Sequence, residues 1–92
     1  MNERKVINRE NIVSALELPE DVIFGEAVLS LTGNRRLVIQ NHRGIVSFDE
    51  ERTVIRTKKY QIVVEGRQLL VPFFAEDMLQ ITGRIDSIVF RS

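Results

Sequence analysis

From Glu26 onward, short apolar runs are broken by turn chemistry roughly every eight or nine residues, and that spacing excludes most folds. The breaks are Gly33-Asn34, Asn41-His42-Arg43-Gly44, Asp49-Glu50-Glu51, Lys58-Lys59, Gly66-Arg67, Ala75-Glu76-Asp77 and Gly83-Arg84. A parallel strand pair needs a crossover of about a dozen residues or more, usually a helix, and no segment here has room for one. Neighbouring strands must therefore be joined by tight turns and run antiparallel. The spacing predicts strands at 26–32, 35–40, 44–48, 53–57, 60–65, 68–73, 78–82 and 85–90. The expected fold is mainly β, a small antiparallel sandwich, roll or barrel of about eight short strands.

Several of these runs alternate at period two, as in Ala27, Leu29, Leu31 and in Leu69, Val71, Phe73, whereas Ile62-Val63-Val64 is continuous and suits a strand buried on both faces. Pro72 can donate no ladder hydrogen bond, so its strand is expected at an edge or bulged at that point. The sequence following Gly33 and that following Gly66 are faintly alike: Leu37-Val38-Ile39 in one, Leu69-Leu70-Val71 in the other, each leading through a polar turn to a further apolar run. That likeness raises a β-solenoid-like stack as the alternative architecture.

Residues 1–17 read differently, as an N-terminal tail and one short helix, with 18–92 forming a single β domain. Asn8 or Asn11 can cap the helix, Ile12, Val13 and Leu16 give it a narrow apolar stripe, and Leu18-Pro19 ends it. A chain of 92 residues makes one core, and a core that small leaves stability thin without a staple or a subunit contact. There is no cysteine and only one histidine, so disulfides, Cys-based zinc sites and thiol catalysis are excluded. Oligomerisation gains weight accordingly. The first twenty residues hold no apolar export segment, and no window reaches the roughly 20 apolar residues of a membrane span, so a cytoplasmic location is expected.

Thirteen basic and thirteen acidic residues cancel, but unevenly: residues 33–60 carry seven basic and three acidic side chains. Arg35, Arg36 and Arg43 surround one expected hairpin, and Arg52, Arg56, Lys58 and Lys59 the next. On one face they would form a patch for an acidic protein, anionic lipid heads or nucleic-acid phosphates. Nucleic acid is disfavoured by the neutral total and by having only Tyr60 nearby to stack on a base. The plainer reading pairs these cations with Glu50, Glu51 and Glu65 across strands.

Candidate chemistry is otherwise sparse. His42 would need Asp49 or Ser47 as a partner to act as an acid–base group; the plainer reading of Asn41, His42 and Gly44 is a structural turn. Asp49-Glu50-Glu51 and Glu76-Asp77 lack the spaced ligands of a calcium or magnesium loop. The glycines are scattered singly rather than clustered into a phosphate loop, and Ser14, Ser30, Ser47 and Ser87 lie in no nucleophile elbow. The expectation is a protein that is not an enzyme and uses no cofactor, metal or small-molecule substrate. Phe73-Phe74, after Pro72, should send one ring inward and the other outward unless a bend turns both inward. An exposed ring beside a strand edge would anchor an interface, which makes Pro72, Phe73 and Phe74 the candidate contact.

Taken together, Leu18-Pro19-Glu20-Asp21-Val22, Gly33-Asn34-Arg35-Arg36, Ile39-Gln40-Asn41-His42-Arg43-Gly44-Ile45 and Leu79-Gln80-Ile81-Thr82-Gly83-Arg84-Ile85-Asp86-Ser87-Ile88 resemble the YabP/YqfC family of small proteins of endospore-forming bacteria, closer to the YqfC branch. The resemblance covers roughly residues 18–90. The chain departs from it at Ala27-Val28, where proline is common, at Gln40, where Glu is common, and near Tyr60, where a glycine is. What the resemblance implies is a role in sporulation, in the mother cell, linked to spore envelope or cortex formation, with no catalytic residues to carry over. The expected function is a sporulation-associated assembly or interaction module, self-associating or binding protein partners. The alternative is a peripheral domain whose arginine-rich patch contacts anionic lipid or nucleic acid.

Overall fold

The computed structural model describes residues 25–92. The tail and helix expected at 1–17 and the start of the β domain lie outside the described residues. Six strands are present: β1 (Val28–Thr32), β2 (Arg36–Gln40), β3 (Ile45–Phe48), β4 (Arg52–Arg56), β5 (Gln61–Phe74) and β6 (Met78–Arg91). They form one open antiparallel sheet in the order β1-β2-β6-β5-β4-β3. Every strand pair is antiparallel, so the solenoid-like stack is not the architecture.

Five of the seven expected turns join strands, and each closes through its own chemistry. At the β3–β4 turn, Asp49 Oδ1 accepts hydrogen bonds from the backbone N–H groups of Glu51 and Arg52 at 2.8 and 2.9 Å, an Asx turn. At the β4–β5 turn, Thr57 N–H and its hydroxyl both donate to the carbonyl of Tyr60. The other two, at Gly66 and Gly83, are not turns. Both glycines sit inside continuous strands, so the runs at 60–65 and 68–73 are one strand, β5, and those at 78–82 and 85–90 are one strand, β6. The expected eight strands are six for this reason.

At these glycines the strands bend instead of ending. The β5–β6 register shifts between Glu65 and Gly66, again between Arg67 and Leu70, and again between Leu70 and Phe73. Such bulges bend a strand and increase its twist. A hairpin turn fills the ladder on each side of the bend. Asn34 and Arg35 carbonyls, at the β1–β2 turn, accept from Ile85 and Gly83, while Glu50 and Glu51 carbonyls, at the β3–β4 turn, accept from Leu69 and Gly66. The same plan is thus used twice: hairpin β1–β2 lies on the first part of β6, and hairpin β3–β4 on the first part of β5.

The bend folds the two halves of the sheet over one core. Residues 41–44 join β2 to β3, strands that the sheet order separates by three others. Within that short segment Asn41 N–H donates to Asp77 of the β5–β6 turn and Arg43 N–H to Arg56 at the end of β4. Glu26, just before β1, meets Lys59 of the β4–β5 turn at 3.2 Å. The inner surface of the roll holds one core built from both halves: Leu37 and Ile39 of β2, Ile55 of β4, Ile62, Val64 and Leu69 of β5, and Leu79, Ile81 and Ile85 of β6. The continuous run Ile62-Val63-Val64 is buried throughout, so this part of β5 is covered on both faces, as expected.

Gln68 is the residue the second bulge strains. It has φ of 54°, a left-handed conformation that costs a residue with a side chain about 1–2 kcal/mol. Its side chain is exposed, so Gln68→Gly removes that strain and loses little contact. After the greater flexibility of glycine in the unfolded chain is subtracted, a gain of about 0.5 kcal/mol is expected, read as a higher urea midpoint.

Candidate protein interface

A strand with a neighbour on one side only presents a row of free backbone donors and acceptors. In this sheet β1 and β3 are such strands among the described residues, and the bend creates two more. Among the described residues, β5 is flanked by β4 and β6 over 61–65 but beyond Leu69, which still bonds to the β3–β4 turn, pairs only with β6; β6 is flanked by β2 and β5 over 78–82 but beyond Ile85, which still bonds to the β1–β2 turn, pairs only with β5. Eight large apolar side chains are exposed among the described residues: Leu31, Val46, Phe48, Leu70, Phe73, Phe74, Val89 and Phe90. All eight lie on these one-sided segments.

Phe73 and Phe74 are 45% and 54% exposed, so the expectation that at least one ring enters the core does not hold. The reason is the bulge. Leu70 pairs with Thr82 and Phe73 with Gln80, which leaves Val71 and Pro72 opposite the single residue Ile81 and breaks the alternation that would have carried one ring inward. Pro72 therefore stands at a bulge on a one-sided segment, as its missing N–H demands. Phe74 leans on His42, with ring centroids 5.1 Å apart.

His42 is 5% exposed and works on the backbone. Its Nδ1 accepts from Gly44 N–H at 2.9 Å, which places the ring proton on Nε2, and Nε2–H donates to the Ala75 carbonyl at 2.9 Å. Asn41, with φ of 67°, and Gly44, with φ of 108°, provide the backbone reversals around it. Asn41 also donates from Nδ2 to the Glu26 carbonyl at 2.9 Å. Both ring nitrogens of His42 bond to backbone groups, and Asp49 Oδ1 is engaged in its own turn. Among the described residues no three or more His, Cys, Asp or Glu side chains converge as a metal site would require.

The basic residues are divided by strand direction. Arg35 and Arg36 follow the β1–β2 turn and, with Arg84, Glu50 and Gln68, line an open depression at the bend. Arg52 begins β4 near the same end and contacts Glu65 at 3.4 Å across the β4–β5 pair, as the plainer pairing expects. Arg43, Arg56, Lys58 and Lys59 lie at the other end of β4, with Lys59 held by Glu26. One end of the roll thus carries Arg35, Arg36 and Arg52, and the other carries the remaining four. Arg84, which pairs with Asp86 at 3.1 Å, was not among the expected patch residues. Its signal in the sequence was the second glycine bend beside it.

The fold and its surface define a small, bent antiparallel sheet whose exposed apolar side chains are gathered on one-sided strands. The sequence pattern of the YabP family matches residues 25–92, and the chain belongs to that family. It is also similar to the "Uncharacterized protein YqfC" of Bacillus subtilis (strain 168), 26% identical over 88 residues, which covers 96% of this chain and 95% of that protein. No solved structure matches it significantly. Among the described residues no helix is long and apolar enough to cross a membrane.

Proposed function

We propose that this chain is a non-enzymatic, sporulation-associated assembly protein that binds copies of itself or other proteins through its one-sided strands. The observation that carries the reading is that, among the described residues, all eight exposed large apolar side chains lie on those strands. Burial of apolar surface drives most protein association, and free strand edges add directional hydrogen bonds to it. Native sheets usually blunt or cover their edges, so an edge rich in Phe, Val and Leu is best explained by a partner. Membership of the YabP family supports the link to sporulation, and the resemblance noted above extends it to the mother cell and to spore envelope or cortex formation.

Light scattering coupled to size exclusion tests this across a wide concentration range at low and high salt. A defined oligomer at both salts is expected, because apolar contacts and backbone ladders are little screened by ions. A strict monomer at high concentration, together with no partner recovered from sporulating cells, would remove the reading. The depression lined by Arg35, Arg36 and Arg84 would then be the first surface to mutate.

A further inference from the structure

The one-sided segments are not equally open to another strand. β3 has only four residues and a register shift between Ile45 and Ser47. The second half of β5 is interrupted by Pro72 and by two bulges. β1 is buried or half-buried over Val28, Leu29 and Ser30. The second half of β6 differs: from Ser87 to Arg91 its pairing with β5 is regular, it has no proline, and Val89 and Phe90 are 49% and 56% exposed.

We infer that a second copy of this chain adds to β6 along Ser87–Arg91, antiparallel, about a two-fold axis at which Val89 faces Val89 of the other copy. This deepens the assembly reading and rests on it. The choice of partner follows from what the register aligns. Val54, Val63 and Val89 are directly paired across β4, β5 and β6 on the face opposite Ile62 and Val64; Val54 and Val63 are buried there and Val89 is half exposed. A two-fold axis at Val89 continues that row into the valines of the second copy.

The neighbouring positions match in the same register. On the inner face Phe90, paired with Ile62, meets Ile88 of the second copy, and Ile88, paired with Val64, meets its Phe90. On the opposite face Arg91 meets Ser87 of the second copy, next to Glu65, to which that serine donates at 3.4 Å. Arg91, which donates to Gln61 in its own chain, and Glu65, which Arg52 already contacts, are thus brought near each other across the axis twice, adding to networks that exist in each copy. The two adjacent registers that keep side chains on matching faces lose this. An axis at Ile88 sets Phe90 towards Asp86 and Val89 against Ser87, and an axis at Phe90 sets Val89 against Arg91. A five-residue ladder is at the small end of specific interfaces, so a dissociation constant on the order of micromolar is expected.

The chain has no cysteine, so Val89→Cys supplies a single thiol opposite its own copy. This near-isosteric change at a half-exposed site keeps the fold, and mild oxidation should give a covalent dimer at concentrations where the unmodified protein associates. Val46→Cys on β3 should not. Val89→Glu and Val89→Lys each put like charges opposite one another, and each should weaken association by at least tenfold, whereas an equimolar mixture of the two should restore it. Association that persists in both single variants, or a Val89→Cys protein that does not cross-link, overturns this interface and leaves assembly through another edge standing. No association of the unmodified protein at any concentration overturns both.

Discussion

Gly66→Ala is expected to remove most of the stability of this protein. A Cβ at position 66 would lie 1.8 Å from the Arg84 carbonyl oxygen and 2.9 Å from its carbon, both backbone atoms of the strand across the bend. No rotamer can relieve a clash with backbone, so β6 must move by more than an ångström where Ile85 enters the core. The nearby hydrogen bonds from Gly66 to Glu51 and from Ile85 to Asn34 would be disturbed with it. A loss of about 4 kcal/mol or more is expected, against a total of roughly 5–14 kcal/mol for a chain this size. Gly83→Ala should behave alike, since its Cβ would meet the Gln68 carbonyl oxygen at 2.5 Å and its φ is 126°. Gly33→Ala is the control: φ is 56° but nothing lies within 4 Å, so only the conformational cost of about 1 kcal/mol should appear. Urea unfolding followed by circular dichroism measures all three. A Gly66→Ala protein within about 1 kcal/mol of the parent would mean that the strands do not approach this closely.

After the Gly66 and Gly83 substitutions, His42→Ala should have the largest effect, about 3 kcal/mol. The substitution leaves the Ala75 carbonyl and the Gly44 N–H without their partners, at about 1–3 kcal/mol for each group that stays buried, and opens a void beside Phe74. The loss falls where the two halves of the sheet are tied, because 41–44 bonds to the β5–β6 turn on one side and to β4 on the other. Destabilisation with an unchanged tendency to associate is the expected pattern, measured as a lower urea midpoint and an unaltered dissociation constant. A stable His42→Ala protein that no longer assembles would reverse the assignment and make the ring part of a contact.

The two substitutions probe the features that local sequence shows least and most directly. His42 sits among Asn41, Arg43 and Gly44, a segment whose turn chemistry is visible in the order of residues. Its pairing with Ala75 is not, because thirty-three positions separate them. Gly66 misleads for a physical reason. A glycine needed for a turn and a glycine needed because a carbonyl passes close by are the same absence of a Cβ, and only the strand opposite tells them apart. Two such glycines turned six strands into an apparent eight.

The turn residues Gly33-Asn34 and Asp49 act on their own neighbours, so the sequence by itself determined that the chain folds back on itself antiparallel, marked seven reversals of which five are turns, and showed that Pro72 stands where a ladder is interrupted. The continuous run Ile62-Val63-Val64 is buried as its pattern suggests, and of the alternating sets Leu69 is core while Leu31 and Phe73 are exposed. Which segments keep a single neighbour was decided only when β5 and β6 bent together and each hairpin covered one half of the pair. Exposure of Phe73, Phe74, Val89 and Phe90 follows from that, as does the division of the basic residues between the two ends of β4. These are properties of strand order and register, set by contacts between residues far apart in the chain, and no local propensity contains them.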